Sequence, residues 1–88
     1  MKNLKIKVKG KVQGVWFRAS TQKIARELKL RGFVRNEADG NVYIEVTGEE
    51  EPIKEFLFWL TEGPEMADVE KLTIEKNEIT HLSHFEIK

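Results

Sequence analysis

The apolar period changes twice between residues 4 and 46, and that change constrains the fold more than any other feature of the chain. Leu4, Ile6 and Val8 alternate with Lys5, Lys7 and Lys9, the period-two pattern of a strand with one buried and one wet face. Phe17, Thr21, Ile24, Ala25 and Leu28 then fall on one side of a repeat of about 3.6 residues. The pattern predicts a first helix over residues 17–30, with Gly32 close enough to serve as its left-handed terminator. Gly32, Phe33, Val34, Arg35 and Asn36 read as a short strand, and Asp39-Gly40 before Val42, Ile44 and Val46 is a hairpin signal.

A second helix is expected to open at Gly48-Glu49-Glu50-Glu51-Pro52, where proline suits a first turn and the acids suit the helix dipole. It continues through Ile53, Phe56, Leu57 and Leu60 and stops at Gly63-Pro64. Residues 69–76 form a weaker strand pattern: Leu72 and Ile74 share a face that Val69 does not, which calls for a bulge or an approach loop reaching past Val69. Phe85 and Ile87 are expected to close the fold as a last short strand. The order strand, helix, strand, strand, helix, strand is that of an α+β, ferredoxin-like βαββαβ sandwich, an antiparallel sheet with two helices on one face.

At 88 residues the chain has material for one core between two layers, so residues 1–88 are expected to form a single domain. It contains no cysteine, which removes disulfides, a thiolate nucleophile and thiolate metal sites together. No apolar run approaches the roughly 20 residues of a membrane span. Lys2 and Lys5 interrupt any secretory pattern at the N-terminus, so a cytoplasmic location is expected. Fifteen Lys and Arg balance fifteen Asp and Glu, so no overall positive field draws in nucleic acid. Lys5, Lys7, Lys9, Lys11 and Arg18 nevertheless make the N-terminal region locally basic.

Chemistry concentrates where the first strand meets the first helix. Gly10 and Gly14 punctuate a turn that runs straight into the helix, and Arg18 sits in its first turn. A helix start exposes unpaired N–H groups and the positive end of the dipole, so an arginine there has the wrong sign for stability alone. An anion bound by the N–H groups of residues 14–18 and by the guanidinium resolves the conflict, and a phosphate fits the guanidinium fork. A nucleotide P-loop is excluded, because Val15 follows Gly14 where that loop needs Lys and then Ser or Thr. Taken singly, Asn36 reads as a strand breaker bonding its own turn, and Arg18 as a solvated surface residue.

The stretch Val8-Lys9-Gly10-Lys11-Val12-Gln13-Gly14-Val15-Trp16-Phe17-Arg18 resembles the first signature of the acylphosphatases, and Gly32-Phe33-Val34-Arg35-Asn36, followed by Gly40, Val42 and Gly48, resembles the second. The resemblance covers essentially the whole chain. It implies a small monomeric enzyme that hydrolyses the carboxyl-phosphate bond of acyl phosphates to a carboxylate and inorganic phosphate, with no metal and no cofactor. By motif position, Arg18 would bind the phosphoryl group and Asn36 would orient the attacking water. The backbone of Gln13, Gly14, Val15, Trp16 and Phe17 would cradle the phosphate oxygens.

Trp16 fills a slot that is often smaller in that family; a core or rim aromatic anchoring the loop is the first expectation, a contact on the acyl side the second. Two competing functions are a non-catalytic ferredoxin-like module binding an anion or RNA, and a relative selective for carbamoyl phosphate, similar to domains in larger carbamoyl-phosphate-processing enzymes. RNA binding would call for stacking aromatics on the open sheet face, where the first strand offers lysines and the third mainly Tyr43. Asp39 and Asp68 are the only aspartates, which argues against a two-carboxylate hydrolase or a magnesium site. His81 and His84 lack a third ligand nearby and read as surface residues. Phe58 and Trp59 lie off the second helix's apolar stripe and are expected to pad the core, with a dimer contact as the alternative.

Overall fold

The computed structural model describes residues 1–78 and 82–88. Its elements are β1 (Lys2–Lys11), α1 (Phe17–Glu27), β2 (Arg31–Asn36), β3 (Val42–Gly48), α2 (Glu50–Glu62), β4 (Asp68–Lys76) and β5 (Phe85–Ile87), and the sheet order is β4-β1-β3-β2-β5. The expected ferredoxin-like arrangement is therefore present. One difference concerns the edge: β5 runs parallel to β2, with Val34 opposite Ile87, so the sheet is mixed and not wholly antiparallel. A three-residue strand arriving from the far side of the sheet can pair either way, and no local pattern records its direction.

The alternation read from β1 sets the sheet register. Ile6 stands opposite Ile44 and Val8 opposite Val42, and Val34 of β2 faces Ile44 from the other side. These residues are fully buried beneath α1 and α2 together with Phe17, Phe56, Leu60 and Phe85. Phe56 and Phe85 meet edge to face with ring centroids 6.1 Å apart, so a side chain of α2 reaches one from the edge strand β5, which α1 covers, while α2 packs over β4 and the sheet centre. The bulge expected in the fourth strand is observed: Lys9 pairs with Lys71 and Gly10 with Val69, leaving Glu70 as the extra residue. Gly10 is accordingly a strand residue facing that bulge and not part of the turn, which begins after Lys11.

The first helix is shorter than its apolar period suggested. It ends at Glu27, and Lys29, with φ 59°, takes the left-handed position assigned above to Gly32. Lys29 N–H donates to the Arg26 carbonyl and Leu30 N–H to the Ala25 carbonyl, the paired bonds of a Schellman cap. Leu30 is driven into this cap because its side chain is 2% exposed and belongs to the core, which offsets the strain at Lys29. Gly32 lies inside β2, opposite Val46, where the backbone of β3 leaves no room for a Cβ.

Of the two aromatics off the stripe of α2, Trp59 packs its ring 6.0 Å from Phe17, whereas Phe58 is 75% exposed and pads no core. Phe58 lies on the helix side opposite Ile53, Phe56 and Leu60, so helical geometry turns it to solvent. No helix among the described residues is long and apolar enough to cross a membrane.

Candidate active site

Residues 12–16 carry the chain from β1 to α1, and two apolar side chains hold this loop down: Val12 and Val15 are both buried in the core. Between and after them the backbone enters the left-handed region twice, at Gly14 with φ 73° and at Trp16 with φ 62°. Loops of this kind bend successive N–H groups towards one side and form concave anion sites. Trp16 is the N-cap of α1, offers no side-chain cap, and is followed by a first turn without an acidic residue. The first helical bond runs from Ser20 N–H to the Trp16 carbonyl at 2.9 Å. The N–H groups of Phe17, Arg18 and Ala19 therefore have no acceptor within the helix.

These groups open into a cleft of about 360 Å³, lined from this side by Gly14, Trp16, Phe17, Arg18 and Ala19. Asn36 enters it from the end of β2. Strand alternation puts Gly32, Val34 and Asn36 on the helix-covered face, and Asn36, paired with Val42 at the last rung, reaches the cleft beyond the packed core. Its Oδ1 is buried and has no hydrogen-bond partner among the described residues. A buried carbonyl oxygen of this kind is costly unless something donates to it. The same cleft is thus lined by Arg18, by helix-start residues whose N–H groups have no helical acceptor, and by Asn36, whose buried Oδ1 has no donor among the described residues. These residue types suit an anion and an O–H donor side by side.

Not every residue of the expected phosphate loop turns its side chain this way. The Val15 side chain is core. The Gln13 side chain points into the β2–β3 turn, where its amide donates to the carbonyls of Glu37 and Asn41, both at 2.8 Å. The loop that leads to Arg18 and the hairpin turn that follows Asn36 are thereby tied together by one side chain. We expect Gln13→Ala to lower stability by about 1–2 kcal/mol through these two bonds. Gln13→Glu, nearly identical in shape, sets an acceptor against two carbonyl oxygens and costs more than alanine. Denaturant unfolding of the three proteins checks this order.

The same turn carries an exposed ion pair, Lys7 Nζ to Asp39 Oδ2 at 2.7 Å. The hydrogen bond from Lys7, and next the Asn41 N–H, hold the Asp39 carboxyl below its ordinary value; the same bond from Lys7 to Asp39 raises the lysine. A lowered carboxyl contributes stability above its unfolded value of about 3.8 and loses it as pH falls through the folded value. The raised lysine contributes below about 10.5 and loses it as pH rises through its folded value. Asp39→Asn should therefore flatten the acid limb of the melting-temperature profile slightly, and molar salt should erase most of the difference.

Three further features bear on the cleft and the open sheet face. Ile87 lines the cleft because β5 pairs with β2, a contact between distant parts of the chain. Trp16, expected as a core or rim aromatic, stands on the cleft's rim and is 80% exposed. On the open sheet face, Phe33 joins Tyr43 at 6.0 Å, but Arg35 covers Tyr43 and Lys88 covers Phe33 at 4.7 and 4.6 Å. His81 lies outside the described residues, and among those described no three His, Cys, Asp or Glu side chains are grouped to hold a metal.

A sequence profile of the family described as acylphosphatase matches residues 4–87. An acylphosphatase of Archaeoglobus fulgidus is 44% identical over 84 residues, spanning 96% of this chain and 94% of its own. The crystal structure of acylphosphatase from Bacillus subtilis superposes with a TM-score of 0.96 at 31% identity, over 100% of this chain and 99% of that one. HypF of T. kodakarensis is similar at a TM-score of 0.87 and 34% identity, over 100% of this chain but 12% of that much longer one.

Proposed function

The chain belongs to the acylphosphatase family, and on that premise we propose that it hydrolyses acyl phosphates at the α1 N-terminus, with Arg18 clamping the phosphoryl group and Asn36 holding the water. The observation that carries this reading is the idle, buried Oδ1 of Asn36 in the cleft that also holds Arg18. We take residues 1–88 to act as one domain and as a monomer.

The phosphoryl oxygens would lie against the backbone of Gly14 and Phe17 and the free N–H groups at the start of α1, with the guanidinium of Arg18 bridging two of them. The set expected for this cradle, Gln13, Gly14, Val15, Trp16 and Phe17, acts through its backbone; the Gln13 side chain acts from outside, by holding the loop against the hairpin. Asn36 Oδ1 accepts one hydrogen from a water and aims the water's oxygen at phosphorus. An amide is no base at neutral pH, so the proton goes to a phosphoryl oxygen of the substrate. The bond from phosphorus to the acyl oxygen breaks, the electron pair leaves with the carboxylate, and the water oxygen completes inorganic phosphate. A carboxylate leaves without protonation, so this scheme needs positioning and charge stabilisation and no strong acid.

Competing modules that bind RNA through stacked aromatics fit less well, because Arg35 and Lys88 lie over the rings of Tyr43 and Phe33. The test is benzoate release from benzoyl phosphate with a chelator present, by the native protein and by folded Arg18→Ala and Asn36→Ala. Release that resists the chelator and fails in both variants supports the assignment. Full activity in either variant refutes that residue's role.

A further inference from the structure

Phosphate recognition accounts for one end of the cleft and leaves the other unexplained. The volume of about 360 Å³ is that of a small-molecule pocket and exceeds what a phosphoryl group fills. Away from Arg18 and Asn36 the walls are apolar: Val12 and Phe17 lie at the base, and Trp16 and Ile87 stand at the mouth. Trp16 and Ile87 are 80% and 40% exposed, two of the few large apolar side chains that the described fold leaves in water. They come from different elements, the loop and the edge strand β5, and both line this cleft. Among the described residues that line the cleft, Arg18 is the only charged one.

Trp16 adds a second observation. It holds φ 62°, a conformation that residues with a Cβ rarely adopt, and its indole gains neither burial nor a hydrogen bond in return. An exposed aromatic kept at a strained position on the rim of a site is accounted for when a ligand covers it.

We propose that Trp16 and Ile87 form an acyl-group clamp, selecting acyl phosphates whose acyl group is apolar and planar over those whose acyl group is small or charged. This rests on the site assignment above and names the substrate class for that site. With phosphorus held between Arg18 and Asn36, the carbonyl carbon and what it carries extend towards the mouth, where the indole face takes an aromatic ring and Ile87 packs its other side. A second carboxylate there would lose its water, and Arg18, the one cation among the described lining residues, is already taken by the phosphoryl group.

The experiment compares kcat/KM for benzoyl phosphate and acetyl phosphate in the native protein, Trp16→Ala, Trp16→Phe and Ile87→Ser, each checked for folding. The intrinsic reactivities of the two compounds cancel when the benzoyl-to-acetyl ratio of a variant is divided by that of the native protein. We expect this quotient to fall about tenfold in Trp16→Ala, the size of a lost aromatic contact with its buried area. Ile87→Ser should lower it in the same direction, and Trp16→Phe should keep most of it. An unchanged quotient in Trp16→Ala and Ile87→Ser overturns the clamp, including the case in which both substrates lose equally, since Trp16 then only shapes the loop. Arg18→Ala with full activity would instead overturn the site assignment, a result separate from any change in the quotient.

Discussion

Arg18→Ala is expected to lower kcat/KM for benzoyl phosphate by about a hundredfold or more, with the fold and its melting temperature staying close to those of the native protein. The size follows from the loss of a preorganised charge at the point where negative charge is gathered in the transition state, which typically costs about 3 kcal/mol. Stability is spared because Arg18 sits in a helix turn whose dipole it opposes, so its removal relieves a small repulsion. Arg18→Lys recovers little, since an ammonium supplies a point charge where the guanidinium supplies two parallel donors.

Asn36→Ala is expected to produce a loss of similar size, expressed in kcat more than in KM, because the water-holding role proposed for it acts on the chemical step and not on the phosphate. Asn36→Asp retains the shape but brings a negative charge beside the phosphoryl oxygens, and falls below alanine in apparent substrate affinity. The double variant is expected to be far less impaired than the product of the two single losses, as for groups that act on one reacting centre. Two independent, multiplying losses would place the residues in separate roles.

Gly32→Ala is the substitution with the largest expected effect on stability, about 3 kcal/mol or more, for two reasons acting together. Its φ is 140°, outside the range that residues with a Cβ adopt, and an added Cβ would overlap the Glu45 carbonyl oxygen and crowd the Cα of Val46. Backbone on the facing strand cannot swing aside as a side chain can, because Val46 and Glu45 are held from β1 as well. Gly14→Ala separates the two reasons. Its φ of 73° is also left-handed, but nothing lies within 4 Å of the added Cβ, so the cost is the backbone term alone, about 1–2 kcal/mol. Chemical denaturation of both variants should show this difference, and Gly14→Ala should in addition lose activity, since it deforms the loop at the cleft. Equal stability losses would mean that β3 yields to the Cβ at Gly32.

Much of this molecule is legible in the order of its residues because the signals are local. Alternation at Leu4, Ile6 and Val8 and the helical spacing of Ile53, Phe56 and Leu60 report which side of an element is buried, and burial parity then dictates register. The bulge at Glu70 was visible as a fault in that parity at Val69. The oddity of an arginine in a first helical turn directed attention to Arg18, and the two signature stretches identified the family and with it the roles proposed for Arg18 and Asn36.

What the chain could not show locally depends on which distant segments meet. Lys29 accepts a left-handed conformation because Leu30 must reach the core, and so displaces the terminator from Gly32. Gly32 is a glycine because the backbone of its hairpin partner β3 passes against it at Glu45, a close approach that only the pairing register decides. The side chain of Gln13 crosses to the hairpin turn, and Ile87 reaches the cleft through a parallel pairing with β2. For Trp16 the first expectation is a core or rim aromatic anchoring the loop and the second a contact on the acyl side; the structure leaves the indole 80% exposed among the residues lining the cleft. Periodicity and residue type determine elements, faces and the chemistry on offer, because those depend on neighbours along the chain. Closure of the cleft and the aim of its side chains belong to the tertiary structure, because they depend on long-range pairing and on backbone conformations that only packing can stabilise.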